Sequence, residues 1–167
     1  NDDEIIDFIN FTKNRNIAFR FIEFMPFVGN KWKRDKIVSY ESILNVVKNH
    51  FGEDKLIFLG NKKHETSRNF KIVDFKGSFG IISTVTNPFC DQCNRIRLTA
   101  DGKIKNCLFS SKEKNLLIAL REGNPIEPII SKTLLNKKFI RSGMKASEDF
   151  ENTENHNENR SMITIGG

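Results

Sequence analysis

The sequence contains little cysteine, and its cysteines are not arranged for disulfides. Only three of the 167 residues are cysteine, whereas a framework of structural disulfides needs an even number. Two of them, Cys90 and Cys93, form a Cys-x-x-Cys pair. This spacing favours metal ligation in a reducing compartment over structural disulfides.

Long hydrophobic runs and leader sequences are also missing. Every apolar run is far shorter than the roughly 18 residues of a membrane span, so we expect a soluble protein. Residues 1–10 have neither the basic start and cleavage site of a signal peptide nor the arginines of a transit peptide. Because Asn1 stands where a complete product has Met, we expect the chain to begin partway through a longer protein.

The charge of the chain is moderately basic. It has 27 Lys and Arg against 21 Asp and Glu, a net charge of +6. A basic surface attracts the phosphates of a nucleotide, a nucleic acid or an acidic membrane. Because Lys and Asn are abundant throughout, a compositional bias explains the charge nearly as well. The charge alone therefore selects no function.

Hydrophobic periodicity predicts an α/β fold that ends in a polar tail. A helix over residues 2–14 precedes a strand over 17–25 that is apolar on both faces, which is typical of a parallel sheet. Ser39 is placed to cap a helix over about 40–50. Strands at 55–59, 70–75 and 80–86 follow, then strands 96–99 and 104–109 around the hairpin signal Asp101-Gly102, and helices near 113–122 and 126–137. Residues 143–159 have almost no large apolar groups, so we expect them to be flexible.

The predicted hairpin brings a third thiol to the Cys-x-x-Cys pair. Cys107 follows the far strand, and a hairpin folds back on its start, so Cys90, Cys93 and Cys107 are expected to converge on one metal centre. Soft thiolates select zinc or an iron–sulfur cluster. A cubane held by three cysteines leaves one iron open, whereas structural zinc needs a fourth ligand, for which the candidates are His50, His64 and His156. Spacing alone favours neither metal, and three unrelated buried thiols are a weaker third alternative.

Three arginines and one methionine are candidates for ligand contacts. Arg95 and Arg97 point to one face of a strand beside the cysteines, where two guanidinium groups form a polyphosphate receptor; exposed surface ion pairs are the alternative. Arg20 lies in the strand expected to be buried, and neutralisation by Glu23 is its structural alternative. Met25, where that strand ends, is more often core packing than a ligand contact.

Three stretches resemble a single family and occur in that family's order. The run Phe89–Gly102, continued to Cys107-Leu108-Phe109, is similar to the second cluster motif of the GTP 3′,8-cyclase (MoaA) family of radical-SAM enzymes. Residues 20–26 resemble the last barrel strand of that family, and Gly29-Asn30-Lys31-Trp32 is similar to the segment after that strand in eukaryotic members. Residues 159–167 resemble the family terminus.

The resemblance implies an activity and two iron–sulfur clusters. In this family a 4Fe–4S cluster in the N-terminal barrel cleaves S-adenosylmethionine (SAM). The resulting radical converts GTP to (8S)-3′,8-cyclo-7,8-dihydroguanosine 5′-triphosphate, the first step of molybdenum cofactor biosynthesis. A second 4Fe–4S cluster binds GTP through its open iron.

The resemblance also implies roles for individual residues of this chain. Cys90, Cys93 and Cys107 would hold the second cluster, and Met25 would contact SAM. Gly166 and Gly167 would reach into the active site as catalytic residues, because a chain without side chains can approach closely. The residues that would contact GTP are Arg20, Arg95, Ile96 and Arg97.

The chain departs from the family in lacking the radical-generating Cys-x-x-x-Cys-x-x-Cys motif. We therefore expect three parts. Residues 1–26 would be the last helix and strand of a partial (β/α) barrel, and residues 27–142 would be a C-terminal α+β domain whose antiparallel sheet carries the iron–sulfur cluster. Residues 143–167 would be a flexible tail. SAM and the other 4Fe–4S cluster would belong to a preceding part of the protein. Alone, this chain is expected to be inactive.

Two other functions remain open at this level. One is a zinc-ribbon-like module that binds nucleic acid through a basic face, and the other is an auxiliary-cluster domain of a different radical-SAM enzyme. The family resemblance instead implies GTP, SAM and the downstream cyclic pyranopterin monophosphate synthase as partners, with no nucleic acid or membrane partner, and it allows a homodimer. Eukaryotic members work in the mitochondrial matrix, so we expect that compartment for a eukaryotic protein and the cytoplasm otherwise.

Overall fold

The chain is divided into two compact units. The computed structural model describes residues 1–146, 148–152, 158–161 and 163. The first unit comprises Asn1–Met25 with Asp35–Cys93, and the second comprises Pro26–Arg34 with Asn94–Gly167. These boundaries differ from those predicted at residues 26 and 142, because strand pairing joins residues 56–82 to the first strand of the chain.

Two helices cover the first unit. Helix α1 (Ile5–Phe11) is shorter than predicted. Helix α2 (Tyr40–Phe51) begins where the sequence predicted, because the Ser39 hydroxyl accepts a hydrogen bond from the Ser42 amide at 3.1 Å and so caps the helix. Leu44 and Val47 lie on the buried face of α2.

The sheet of the first unit is mixed. Its strands are β1 (Ala18–Ile22), β2 (Leu56–Phe58), β3 (Arg68–Ile72) and β4 (Ser78–Ile82), in the spatial order β1-β4-β3-β2. β1 is parallel to β4, and the other two pairs are antiparallel. Successive side chains of β1 point to opposite faces of the sheet, so its burial alternates, and Arg20 and Ile22 on the outer face are exposed. In the described residues only one face of β1 is covered, whereas the apolar sequence of this strand predicted that both of its faces would be buried.

The core of the first unit lies between the sheet and the two helices. Phe8 stacks on Phe19 with ring centroids 4.6 Å apart, which fastens α1 to β1. Phe70 and Phe79 stack across the β3–β4 pair. The buried core residues are Ile5, Ile9, Tyr40, Ile43, Leu44, Val47, Phe70, Ile72, Phe75, Phe79 and Ile81.

The second unit is built on an antiparallel sheet of three short strands. These are β5 (Arg97–Leu98), β6 (Lys103–Lys105) and β7 (Lys114–Asn115), in sequential order. The predicted hairpin between β5 and β6 is confirmed: Gly102 has φ +75°, and its amide donates to the Thr99 carbonyl at 2.9 Å. Helices α3 (Leu116–Arg121) and α4 (Glu127–Leu135) follow, each shorter than predicted.

Residues 143–146 and 148–152 pack more closely than their composition indicated. Phe150 is fully buried, with its ring 5.4 Å from that of Phe109 and 6.1 Å from that of Trp32. Met144 is also buried, and Asp149 accepts hydrogen bonds from the amides of residues 145 and 146. Two apolar side chains of this segment are thus buried, and its flexibility stays a prediction.

Short single-turn 3-10 helices connect the longer elements, at Arg34–Lys36, Glu53–Lys55, Cys90–Gln92, Arg141–Gly143 and Glu148–Phe150. In the part of the chain that the structure describes, none of the helices has the length and apolar character that a membrane span requires.

Candidate functional site

Cys90 and Cys93 lie at the two ends of one tight turn at the end of the first unit. The Cys93 amide donates to the Cys90 carbonyl at 3.2 Å, and both cysteines are half-buried thiols. The Gln92 carbonyl, between the two, lies 2.6 Å from Nδ1 of His64. The turn therefore presents both sulfur-bearing residues near the surface, with a histidine from a distant loop holding the peptide between them.

The segment that leads into this turn is held by the buried carboxylate of Glu23. This side chain is only 3% exposed and accepts hydrogen bonds from the amides of Val85 at 2.8 Å, Thr86 at 3.0 Å and Tyr40 at 3.3 Å. The Thr86 hydroxyl also donates to it. The structural alternative, in which Glu23 neutralises Arg20, is not seen among the described ion pairs, because the Glu23 carboxylate is occupied by three backbone amides and the Thr86 hydroxyl.

Arg20 is exposed and lies along an open cavity. It pairs in register with Gly80 of β4 and, together with Lys36, lines a cavity of about 220 Å³ whose walls are otherwise mainly aromatic and aliphatic. A hydrogen bond from the Lys62 amide lowers the pKa of Glu65, and the charge of Arg20 contributes to the same shift. The carboxylate residues Asp2 and Glu23 also line this cavity, so its walls carry both signs of charge. Met25 follows β1 and is half-buried.

In the second unit, Arg97 and Cys107 flank a buried lysine. Lys105 is fully buried and pairs with Arg97 in the hairpin register. Its ammonium donates to Oδ1 of Asn159 at 2.8 Å and lies 3.7 Å from the Glu113 carboxylate. Burial lowers the pKa of Lys105, Glu113 opposes that shift, and the charges of Arg160, Cys107 and Arg97 also act on it. The structure therefore places Glu113, Arg160, Cys107 and Arg97 close enough for their charges to act on Lys105.

Arg95 and Ile96 precede β5 rather than lying in it. The strand covers only Arg97 and Leu98, so the expected alternation of Arg95 and Arg97 along one strand is not formed. Arg95 is exposed, and its carbonyl accepts a hydrogen bond from Nζ of Lys137 at 2.7 Å. Ile96 is 44% exposed.

The sequence did not predict the hydrogen bonds and ion pairs that Asn159 and Arg160 form with distant residues of the second unit. Asn159 is fully buried and its carbonyl accepts from the Val28 amide at 3.1 Å. The Arg160 guanidinium donates two hydrogen bonds to the Glu113 carboxylate, at 2.7 and 3.1 Å, and it also donates to Asp101 at 3.2 Å. The only signal in the sequence was the similarity of residues 159–167 to a family terminus.

The predicted site residues are distributed over both units. Arg20, Met25, Cys90 and Cys93 belong to the first unit, and the second contains Arg95, Ile96, Arg97 and Cys107. Within the described ranges, no set of three or more His, Cys, Asp and Glu side chains lies close enough to hold a metal ion. Convergence of the three thiols therefore stays a prediction. Gly166 and Gly167 lie outside the described residues.

A known protein family matches most of this chain. Residues 17–142 match the family described as Molybdenum Cofactor Synthesis C. The chain belongs to this family. The matched range includes β1, the hairpin and all three cysteines.

Similar proteins are named GTP 3′,8-cyclase or molybdenum cofactor biosynthesis protein 1. Over 170 residues the chain is 41% identical to the mitochondrial GTP 3′,8-cyclase of Arabidopsis thaliana, covering 100% of this chain and 41% of that protein. It is 38% identical over 167 residues to the GTP 3′,8-cyclase of Thermodesulfovibrio yellowstonii, covering 100% of this chain and 49% of that protein. Molybdenum cofactor biosynthesis protein 1 of Drosophila melanogaster is 46% identical over 122 residues, which cover 73% of this chain and 21% of that protein. The chain thus spans less than half the length of these Molybdenum Cofactor Synthesis C relatives and corresponds to their C-terminal portion.

Proposed function

We propose that this chain is the C-terminal part of a GTP 3′,8-cyclase. The whole protein would convert GTP to (8S)-3′,8-cyclo-7,8-dihydroguanosine 5′-triphosphate with a SAM-derived radical, and this part would bind GTP. The observation that carries the proposal is the family match over residues 17–142, because that range contains all three cysteines together with Arg20, Arg95 and Arg97.

Cys90, Cys93 and Cys107 are the residues that would hold a 4Fe–4S cluster. The donor chemistry fits, since all three are half-buried thiols and thiolate is the usual ligand of such clusters. Cys90 and Cys93 share one turn, and Cys107 lies two residues beyond the Arg97–Lys105 pair of the hairpin. When bound, the cluster would supply an open iron as a Lewis-acidic site for the guanine.

The arginines would bind the triphosphate. Arg95 is exposed and Arg97 is half-buried beside Lys105, so both guanidinium groups belong to a strongly basic segment. Arg20 is exposed beside a cavity that Lys36 also lines. Guanidinium groups bind phosphate oxygens through paired hydrogen bonds, which orient the nucleotide as well as attract it. Ile96 would lie against the same nucleotide.

The remaining assignments rest on the family resemblance. Met25 would contact SAM, and Gly166 and Gly167 would approach the reacting nucleotide. The radical would come from the other 4Fe–4S cluster and SAM of a preceding part of the protein, since this sequence has no Cys-x-x-x-Cys-x-x-Cys motif. The product would pass to cyclic pyranopterin monophosphate synthase. A mitochondrial location is proposed by analogy with the Arabidopsis relative, whose name includes it.

Anaerobic reconstitution tests the proposal directly. The chain is treated with iron and sulfide, and its absorption and electron paramagnetic resonance spectra are recorded with and without GTP. We expect a cluster whose spectrum changes with GTP and not with a pyrimidine triphosphate, and whose yield collapses in Cys107→Ser. A colourless protein that binds zinc, or a cluster that ignores GTP, would overturn the proposed substrate site.

The phosphate contacts have a separate test. Arg97→Ala and Arg95→Ala should weaken GTP binding to the reconstituted chain by about tenfold each, the loss expected for one charge-assisted contact. Arg121→Ala, on the last turn of α3, is the matched control and should bind GTP as the unmodified chain does. Equal binding in all four proteins would refute the assignment of the arginines.

A further inference from the structure

His64 occupies a strained backbone conformation in the loop between β2 and β3. Its φ is +67°, in the left-handed region that L-residues with a Cβ rarely adopt. Such strain persists only where surrounding contacts fix it, and it is concentrated at functional sites. We therefore expect the His64 side chain to make a contact that stabilises this conformation.

The ring of His64 reaches the peptide between the two cysteines of the turn. Nδ1 lies 2.6 Å from the Gln92 carbonyl, 28 residues along the chain. A carbonyl oxygen only accepts hydrogen bonds, so Nδ1 carries a proton and donates. The hydrogen bond thereby restrains the Gln92–Cys93 peptide, and with it the direction in which the Cys93 side chain leaves the turn.

The loop that carries His64 is itself held by hydrogen bonds, so the position of the histidine is fixed. The Glu65 carboxylate accepts from the Lys62 amide at 3.0 Å and from Nδ2 of Asn69 at 2.7 Å. Four residues after His64, the Arg68 guanidinium donates to Oδ1 of Asn87 at 3.2 Å. His64 and Arg68 therefore bind Gln92 and Asn87, which both lie in the segment that contains the cysteine turn.

We infer that His64 is a positioning residue for the Cys90–Cys93 pair, a role that rests on the proposed cluster function. It does not ligate the metal. It holds the turn in the conformation that presents both thiolates, much as an outer-shell hydrogen bond fixes the orientation of a metal ligand. The positive φ of His64 and the 2.6 Å contact of its Nδ1 with the Gln92 carbonyl occur together, and the hydrogen bond would offset part of the strain.

His64→Gly separates this role from a structural one. Glycine adopts a positive φ without strain, so the urea midpoint of the apo chain should stay close to that of the unmodified protein while the hydrogen bond is lost. After reconstitution, we expect the cluster of His64→Gly to be lost to a chelator about tenfold faster. The lines of its electron paramagnetic resonance spectrum should also broaden, because the turn samples several conformations.

Two further variants control the experiment. His64→Asn keeps a residue that tolerates the left-handed region and carries an amide donor, so it should recover part of the cluster stability. His50→Gln changes an exposed histidine at the end of α2, whose ring contacts only Phe51 among the described aromatic pairs, and should behave as the unmodified chain.

The outcomes separate this inference from the proposed function. If the unmodified chain and His64→Gly hold equally stable clusters with identical spectra, His64 does not position the turn, although the cluster function stands. If the unmodified chain takes up no cluster, the proposed function fails and the role of His64 fails with it. Faster cluster loss in His64→Gly, with an unchanged folding midpoint and partial recovery in His64→Asn, supports the inference.

Discussion

Glu23 provides a quantitative test of how the first unit holds the segment that precedes the cysteine turn. Its buried carboxylate accepts from the amides of Tyr40, Val85 and Thr86. These donors come from the start of α2 and from the segment after β4, so one side chain joins the end of β1 to both. Glu23→Leu keeps most of the volume and removes both acceptor oxygens.

The size of the effect follows from the buried donors. A buried N–H group that loses its acceptor destabilises the fold by about 1–3 kcal/mol. The amides of Tyr40 and Val85 are both buried, but the Tyr40 amide also donates to the Thr86 hydroxyl at 3.3 Å and keeps that acceptor. Glu23→Leu should therefore lower the free energy of unfolding by about 1–3 kcal/mol, mainly through the Val85 amide. This is a measurable part of the roughly 5–15 kcal/mol that stabilises a typical domain. Glu23→Gln keeps one acceptor oxygen but turns an NH₂ group towards the same donors, and should lose roughly half as much.

Urea denaturation followed by circular dichroism measures this loss. Glu41→Gln, which changes an exposed carboxylate on the first turn of α2, is the matched control and should shift the free energy by less than about 0.5 kcal/mol. Hydrogen exchange at residues 83–87 should quicken in Glu23→Leu. If Glu23→Leu and Glu41→Gln were equally stable and equally protected, the four hydrogen bonds would not organise this segment.

Three further predictions concern the second unit. Phe150→Ala should destabilise it by about 3–5 kcal/mol, measured by thermal denaturation, because a fully buried ring is removed. Arg160→Lys loses the paired hydrogen bonds to Glu113 and should lower the free energy of unfolding by about 0.5–1 kcal/mol. An unchanged free energy of unfolding would show that these paired bonds do not stabilise the unit. The Thr99 hydroxyl, more than Arg160, holds the pKa of Asp101 well below its ordinary value of 3.8. The stabilisation from ionised Asp101 should therefore be complete above pH 3.8 and disappear only as the pH falls through the lower folded-state pKa, and in a carboxylate NMR titration Thr99→Val should raise that midpoint.

Elements with a local signal were predictable from the sequence. Ser39 is a residue that caps helices, and α2 begins beside it. Asp101-Gly102 forms the β5–β6 turn because glycine accepts the positive φ found there. The parallel pairing of β1 with β4 carries no comparable signal, since the two strands are separated by α2, β2 and β3 and meet only in the folded chain.

The sequence offered candidate site residues by type, but it did not indicate where the fold places them. Cysteine spacing and the arginines of the second motif identified candidates, but the boundary between the two units falls between Cys93 and Asn94. Composition also misled at Phe150, where one aromatic ring in a polar segment packs against Phe109. The surroundings of Glu23 and Asn159 depend on partners more than 50 residues away, which no local pattern reports.

Each unit fixes its own part of the proposed site with a buried polar side chain. Glu23 lies two residues before Met25 in the first unit, and Lys105 lies two residues before Cys107 in the second. Burying a charge is unfavourable unless hydrogen bonds compensate for it, and both groups have such bonds: backbone amides for Glu23 and Asn159 for Lys105. A polar group in these positions restrains direction as well as adding stability, because its hydrogen bonds require particular geometry. A hydrophobic replacement of Lys105 that restored stability would therefore still leave Cys107, the proposed ligand, less well oriented, and cluster retention should fall even where the folding midpoint does not.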